Sequence, residues 1–280
     1  MQIQIRFDSR YEYSTPVGFS THRYRLLPRP GFSGVIRKRE FTTSASAQVT
    51  HERDLFDNET LACFYPEQSR TLATSLRLEL ELIERDPFAF SLAPHATIFP
   101  FQYEARERHL LNIYLNTTGP VLPLWLLPQG PMPTVDAIVA LNGSFRKHLT
   151  YERRDEGAAR TPAETLAEGR GACRDFAFLL AEVLRRSGVA ARVVSGYLVQ
   201  AASDEPTAAG AFHAWTEAYL PGAGWIGLDP TNGTLCDHRH IPVAAGLEAD
   251  DIAPSLGSYF HADAVPSDMS FRVEVTVNAS

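Results

Sequence analysis

Residues 169–184 read Gly169-Arg-Gly-Ala-Cys173-Arg-Asp-Phe-Ala-Phe-Leu-Leu-Ala-Glu-Val-Leu184. Phe176, Leu179, Leu180, Val183 and Leu184 fall at i, i+3, i+4, i+7 and i+8, the spacing of a helix with one buried stripe. The helix is expected from about Ala172 to Ser187, with Arg185 and Arg186 in its last turn and Gly188 as a left-handed stop. Cys173 therefore sits at a helix N-terminus. There, unpaired N–H groups and the positive end of the macrodipole stabilise a thiolate, so the thiol pKa is expected to fall.

Strands are expected after this helix near Ala191 to Gln200, His213 to Leu220 and Trp225 to Leu228, with Pro221-Gly222 turning the last two into a hairpin. One helix on an antiparallel sheet gives an α+β core. Before it, Thr161 is expected to cap a short helix at Pro162 to Glu168, and Thr134 to cap a longer one whose stripe includes Val135, Ile138, Leu141, Phe145 and Leu149. The loop from Ala201 to Gly210 is small and polar and is expected either as a plain hairpin loop or as a border of a cleft.

The first 118 residues have a different texture. Alternating runs recur at Gln2 to Phe7, Phe41 to Thr50, Glu59 to Phe64, Thr74 to Ile83 and His109 to Leu115. In Leu76-Arg-Leu-Glu-Leu-Glu-Leu82 every second residue is apolar, so one face packs and the other meets solvent. Several such strands predict a β-sandwich. The division expected is a sandwich over 1–118 and a second domain over 119–280, opening with a proline-rich but apolar connection.

Charge and cysteine content limit the function. The net charge is −7 and no Lys/Arg-rich run occurs, which argues against a nucleic-acid partner. No apolar stretch reaches the roughly 18 residues of a membrane span, and Met1-Gln-Ile-Gln-Ile-Arg reads as a strand, so a cytoplasmic location is expected. Cys63, Cys173 and Cys236 are odd in number and widely spaced, which suits a reducing compartment and a free thiol. Oligomeric state is not legible.

His213, in Phe212-His-Ala-Trp215, and Asp229, in Gly224-Trp-Ile-Gly-Leu-Asp-Pro-Thr231, complete the parts of a nucleophilic triad. The imidazole would hold the thiol proton as an ion pair and later deliver it to a leaving amine. Asp229 would accept from the other ring nitrogen, fixing the tautomer. Pairing Leu220 with Trp225 puts Asp229 opposite Thr216, so a shift of about three residues, or a splayed end, must bring it to His213. Trp215 shares a strand face with His213 and is placed to shield the pair from water.

These segments resemble the bacterial transglutaminase-like family of papain-fold cysteine enzymes. The likeness runs through residues 161–177, Val194-Ser-Gly-Tyr-Leu198, His213-Ala-Trp215 and Gly222-Ala-Gly-Trp-Ile-Gly-Leu-Asp-Pro-Thr-Asn-Gly233. The front half is similar to that family's β-rich N-terminal region in Tyr11-Glu-Tyr-Ser-Thr-Pro-Val17, Leu26-Leu-Pro-Arg29 and Asp54-Leu-Phe-Asp-Asn58. Two departures are Phe212, where threonine often precedes the His-Ala-Trp, and Asp57-Asn58, where Gly-Asn is usual. The resemblance implies a papain-like/transglutaminase-like core, a Cys173-His213-Asp229 triad, no cofactor, and acyl transfer from a peptide or protein amide through a thioester. Hydrolysis is favoured over crosslinking because nothing in the chain announces an amine site. The alternatives are a protein-glutamine transglutaminase and a peptide-binding scaffold with a vestigial triad.

An oxyanion hole needs two donors. The Cys173 backbone N–H is the first, and Tyr197, Asn142 and Tyr151 are candidates for the second. Asp175 is expected to support the helix start, and Arg174 is a candidate for orienting a substrate carboxylate. Cys236, His238 and His240 would share one face of a strand, yet no second cluster completes a closed zinc site. The His240-Ile241 pair matches the family pattern without metal, and none is expected.

Overall fold

The computed structural model describes residues 1–44, 46–117, 119–126, 130–154, 157–199 and 212–277. The 201–210 loop discussed above lies outside them. Six strands open the chain: β1 (Gln2–Phe19), β2 (His22–Tyr24), β3 (Gly34–Thr43), β4 (Gln48–Arg53), β5 (Glu59–Phe64) and β6 (Ser69–Leu82). The helix α1 (Ala105–Leu110) follows, with β7 (Ile98–Phe99) before it and β8 (Met132–Pro133) after it. Then come α2 (Thr134–His148), β9 (Thr150–Tyr151), α3 (Pro162–Glu168), β10 (Arg170–Gly171) and α4 (Cys173–Arg186). The rest is β structure: β11 (Ala191–Leu198), β12 (Phe212–Leu220), β13 (Gly224–Asp229), β14 (Thr234–Leu235), β15 (His240–Gly246), β16 (Ser255–Leu256), β17 (Tyr259–Phe260) and β18 (Ser267–Val277).

The fold is mixed α+β, as the residue patterns require. Two antiparallel sheets form the sandwich, one built as β17-β1-β6-β3 with β18 also on β1, the other as β16-β2-β5-β4. Their register follows the alternation: Ile3, Ile5 and Phe7 of β1 and Leu76, Leu78 and Leu80 of β6 are buried, while the residues between them face outward. Tyr24 ties the sheets, its ring packing on Phe41 at 5.6 Å and its hydroxyl accepting from Thr74 at 3.0 Å. The chain's last strands complete these sheets, so the pairing does not follow a simple 1–118 and 119–280 order.

A third antiparallel sheet, β14-β13-β12-β11-β15, carries α4 on one face. Phe176, Leu179, Leu180, Val183 and Leu184 are all buried, and the Thr216 hydroxyl donates to the Ala177 carbonyl at 2.8 Å. Thr161 caps α3 through a reciprocal box with Glu164, and Gly188 has φ +80°, the left-handed stop that only glycine adopts without strain.

Four local expectations are corrected. Residues 109–115 are the end of α1 and a 3-10 turn rather than a strand, because the Glu107 carboxylate accepts from the Glu104 N–H at 3.2 Å and so favours a helix start just upstream. The run Phe41 to Thr50 is divided between β3 and β4. Thr134 is the first helical residue instead of the cap, and its hydroxyl donates to the Ala96 carbonyl at 2.6 Å. In the β12–β13 hairpin Leu220 pairs with Gly224, not Trp225, which brings Asp229 one position nearer to His213.

The sandwich is bolted to the third sheet by the segments whose sequence drew attention. The buried Asn58 side chain donates to the Ala245 carbonyl at 2.9 Å and accepts from the Ala245 N–H at 2.8 Å, so its amide pairs with β15 as a strand would. The Arg29 N–H donates to the Pro242 carbonyl at 2.7 Å. Asp57 holds a left-handed φ of +61°, where glycine is the easier residue and Asp is tolerated. Asn58→Ala removes both bonds and leaves the Ala245 groups unpaired. It should lower stability by about 2–4 kcal/mol, measured by denaturant unfolding. An unchanged midpoint would show the latch to be dispensable.

Candidate active site

The hairpin and helix bring Cys173, His213 and Asp229 together. Asp229 ends β13 with its side chain fully buried, and its Oδ2 accepts from His213 Nε2 at 2.8 Å. The thiol of Cys173, at the first position of α4, is hydrogen-bonded to the same imidazole and to the Ala214 backbone. Burial alone would push this thiol up. The His213 hydrogen bond and charge, with the Ala214 and Arg174 contributions, outweigh it and hold the thiol below its ordinary value. Burial likewise opposes protonation of His213, yet the bonds to Asp229 and Cys173 raise the imidazole to about 9. Burial disfavours the Asp229 carboxylate as well, but donors from His213 and His240 keep its pKa well below the usual range. With the thiol lowered and the imidazole raised, the favoured state at neutral pH is a thiolate–imidazolium pair beside a carboxylate.

Asp229 is held from every side. Its Oδ1 accepts from the Thr231 and Asn232 N–H groups at 3.0 and 3.2 Å, and its Oδ2 also accepts from Asn232 Nδ2 at 2.7 Å. A fourth partner was missed in the sequence: His240 Nε2 lies 3.2 Å from Oδ2, with His240 Nδ1 3.3 Å from Asp237 Oδ1. The Cys-Asp-His-Arg-His cluster gave the signal, but its zinc-like spacing drew attention away from a carboxylate partner. Residues 236–239 form no strand, so Cys236, His238 and His240 do not share a strand face. No group of His, Cys, Asp and Glu with metal-site geometry occurs among the described residues.

Trp215 is buried and stacks on His213 with ring centroids 6.3 Å apart and planes inclined by 29°. Gly196 makes room for it: a Cβ there would lie 2.7 Å from the indole and 2.1 Å from the Ile241 carbonyl oxygen. Three other candidates have different duties. Tyr197 is fully buried and its hydroxyl donates to the Leu26 carbonyl at 2.9 Å, so its one proton is committed to the sandwich and not to an oxyanion. Asn142, on α2, donates to the Thr234 carbonyl at 3.0 Å and does not line the pocket that contains Cys173 and His213. Arg174 borders the pocket, but it donates to the Arg154 and Gly157 carbonyls at 2.8 and 3.0 Å and so anchors the loop there. Tyr151 is placed beside the nucleophile by the parallel β9–β10 bridge, and it lines the pockets on both sides of His213.

The transglutaminase-like superfamily core model matches residues 127–230, and the bacterial transglutaminase-like N-terminal region model matches residues 3–81. The two parts of the bacterial transglutaminase-like pattern are thus both present in this chain, in residues 3–81 and 127–230. An uncharacterized protein of Mycobacterium leprae is 36% identical over 142 residues, 50% of this chain and 50% of that one. A protein-glutamine gamma-glutamyltransferase of Pseudomonas aeruginosa is 39% identical over 110 residues, 36% of this chain and 15% of that one. The chain thus spans about half the length of its mycobacterial relative and a small part of the Pseudomonas protein. A solved structure from Cytophaga hutchinsonii, described as a candidate cysteine protease, covers 100% of this chain and 92% of its own with a TM-score of 0.63 at 18% identity. That likeness extends the fold over both β-rich and helical parts.

Proposed function

We propose that this transglutaminase-like protein is a cysteine-dependent acyl-transfer enzyme acting on peptide or isopeptide amides. The observation that carries the reading is the single imidazole that takes Cys173 on one side and Asp229 on the other. The Cys173 thiolate attacks the amide carbonyl carbon, forming the C–S bond. The negative charge on oxygen is met by the Cys173 backbone N–H, which at the first helical position has no intrahelical acceptor. His213 gives its proton to the leaving nitrogen, the C–N bond breaks and the amine departs. Water then enters, His213 takes its proton, and hydrolysis of the thioester restores the ion pair with release of the acid.

Water is the favoured acceptor. Transamidation is the second reading, favoured by the likeness to a gamma-glutamyltransferase and by a further pocket of about 340 Å³ on the other side of His213, lined by Arg146, Phe176, Leu198 and Asn232 among others. A glutamine donor with an added primary amine separates the two: free acid supports hydrolysis, and dominant amine adduct supports transfer.

The test of the site itself is the alkylation rate of Cys173 against pH, read by intact mass. With the thiol lowered and His213 at about 9, the rate in the wild type should already be high near pH 6 and form a plateau below pH 9. His213→Ala should lose that plateau and follow an ordinary thiol near pH 8.5. Identical ordinary profiles in both proteins would reject the enzyme reading and leave a binding scaffold.

A further inference from the structure

The pocket containing Cys173 and His213 has a volume of about 420 Å³ and an aromatic wall assembled from distant parts of the chain. Phe178 comes from α4, Phe212 from the start of β12 and Phe271 from β18 of the sandwich. Two of these rings are fixed from behind by Phe7, which is 1% exposed. Its ring lies 5.2 Å from Phe271 and 6.3 Å from Phe212, both edge-on. Tyr197 supports Phe212 from the other side at 4.9 Å. Phe271 nevertheless remains 47% exposed, so a rigidly held aromatic surface faces the pocket uncovered. Ala158, Ala249 and Ala253 line the same pocket and take up little of its space, while Arg153, Arg154 and Asp250 add a charged portion to its wall.

We infer that this wall selects an acyl group with an aromatic or large aliphatic side chain next to the reacting carbonyl, and that the sandwich supplies part of the selectivity through Phe271. The inference rests on the amide-directed reading above: the nucleophile lines this pocket, and the further pocket across His213 is left for the departing amine. It also gives the sandwich a duty: β18 returns to β1 and in doing so carries a specificity residue to a thiol held on another sheet's helix.

The experiment uses N-acetyl-phenylalanine chloromethyl ketone and its alanine counterpart. In each the Cys173 sulfur displaces chloride as the C–S bond forms, without any need for turnover. Rates are normalised to those with free glutathione, and plain iodoacetamide reports the thiolate alone. Wild type should react at least about tenfold faster with the phenylalanine reagent, the size expected for burying much of one ring. Phe271→Ser should reduce that ratio to within about threefold while leaving the iodoacetamide rate unchanged, and Phe271→Leu should restore much of it. Should Phe271→Ser fail to fold, the phenylalanine-to-alanine ratio in Phe271→Leu against wild type decides, with a smaller drop expected. A ratio near one in wild type, or one untouched by these substitutions, overturns the inference. An ordinary-thiol iodoacetamide profile overturns the amide reading instead, so the two failures are distinguishable.

Discussion

Asp229→Asn should reduce turnover by about 10⁴-fold, the loss seen when the carboxylate of a triad is made neutral without changing its shape. The reason lies in the donors around it. His213 Nε2, His240 Nε2 and Asn232 Nδ2 surround Oδ2, while the Thr231 and Asn232 N–H groups surround Oδ1. An asparagine must turn its own NH₂ toward one of these donor sets. If it faces the histidines, His213 can satisfy it only by accepting at Nε2, which moves the ring proton to Nδ1 and aims it at the sulfur. If it faces the backbone, two N–H groups are left opposing an amide nitrogen. The first outcome removes the ion-pair form, and the second costs two backbone hydrogen bonds while leaving the imidazolium without a carboxylate.

The pH dependence gives the same substitution a second readout. His213 is raised to about 9 in the fold, above the ordinary value near 6.5. Its contribution to stability is therefore complete below about pH 6.5 and is lost as pH rises through about 9. Asp229 is depressed, so its contribution is present above the ordinary carboxylate value near 3.9 and is lost as pH falls below it. The melting-temperature gap between wild type and Asp229→Asn should be widest near pH 5–6 and should narrow toward pH 9. In the variant, burial of His213 is no longer opposed by the carboxylate, so the imidazole falls back and Cys173 alkylation near pH 6 slows. A gap independent of pH, with turnover intact, would sink the ion-pair account.

What could be read in the chain depended on how local the cause was. The helix that holds Cys173 has a periodic stripe, a glycine stop and basic residues in its last turn, all within 20 residues, and α3 and β5 begin and end where their caps and alternation place them. The order of Cys173, His213 and Asp229 was legible because each lies in a short segment with a strong structural preference. The hairpin register was missed by one pair because Pro221-Gly222-Ala223 closes a three-residue loop, with Gly222 and Gly224 at positive φ, where a four-residue one was assumed. Tyr197 shows a different limit. Its strand parity was clear, but the acceptor for its hydroxyl is Leu26, in the irregular segment after β2 and 171 residues earlier. The return of β18 to β1 is longer still, pairing Ile3 with Val277, and local alternation cannot announce which distant edge a strand will join.

Asp175→Ala is expected to destabilise the protein by about 3–5 kcal/mol, the loss typical of a buried charge pair broken from one side, and to lower the melting temperature by about 10 °C. Asp175 is 0% exposed. Its Oδ1 accepts from Arg154 Nη2 and the Arg160 N–H, both at 2.8 Å, and its Oδ2 accepts from the Ala172 N–H at 2.8 Å. The last of these bonds closes the N-terminus of the helix immediately before the nucleophile. Gly171 permits the approach, since a Cβ there would lie 2.9 Å from that of Asp175. Alanine leaves Arg154 without its carboxylate and two backbone donors without an acceptor. The loop that Arg174 anchors at Arg154 and Gly157 then loses its inner support. Two measurements should move together: the denaturation midpoint, and the rate of Cys173 alkylation near pH 6, which should fall as the helix start loosens. Asp175→Asn, which keeps an acceptor for one of the backbone N–H groups, should lie between wild type and alanine on both. Loss of stability with an undisturbed thiol would mean that the helix start is held from the β9–β10 side alone, through the Glu152 N–H to Gly171 carbonyl bond of 2.9 Å, and that Asp175 serves the loop and not the nucleophile.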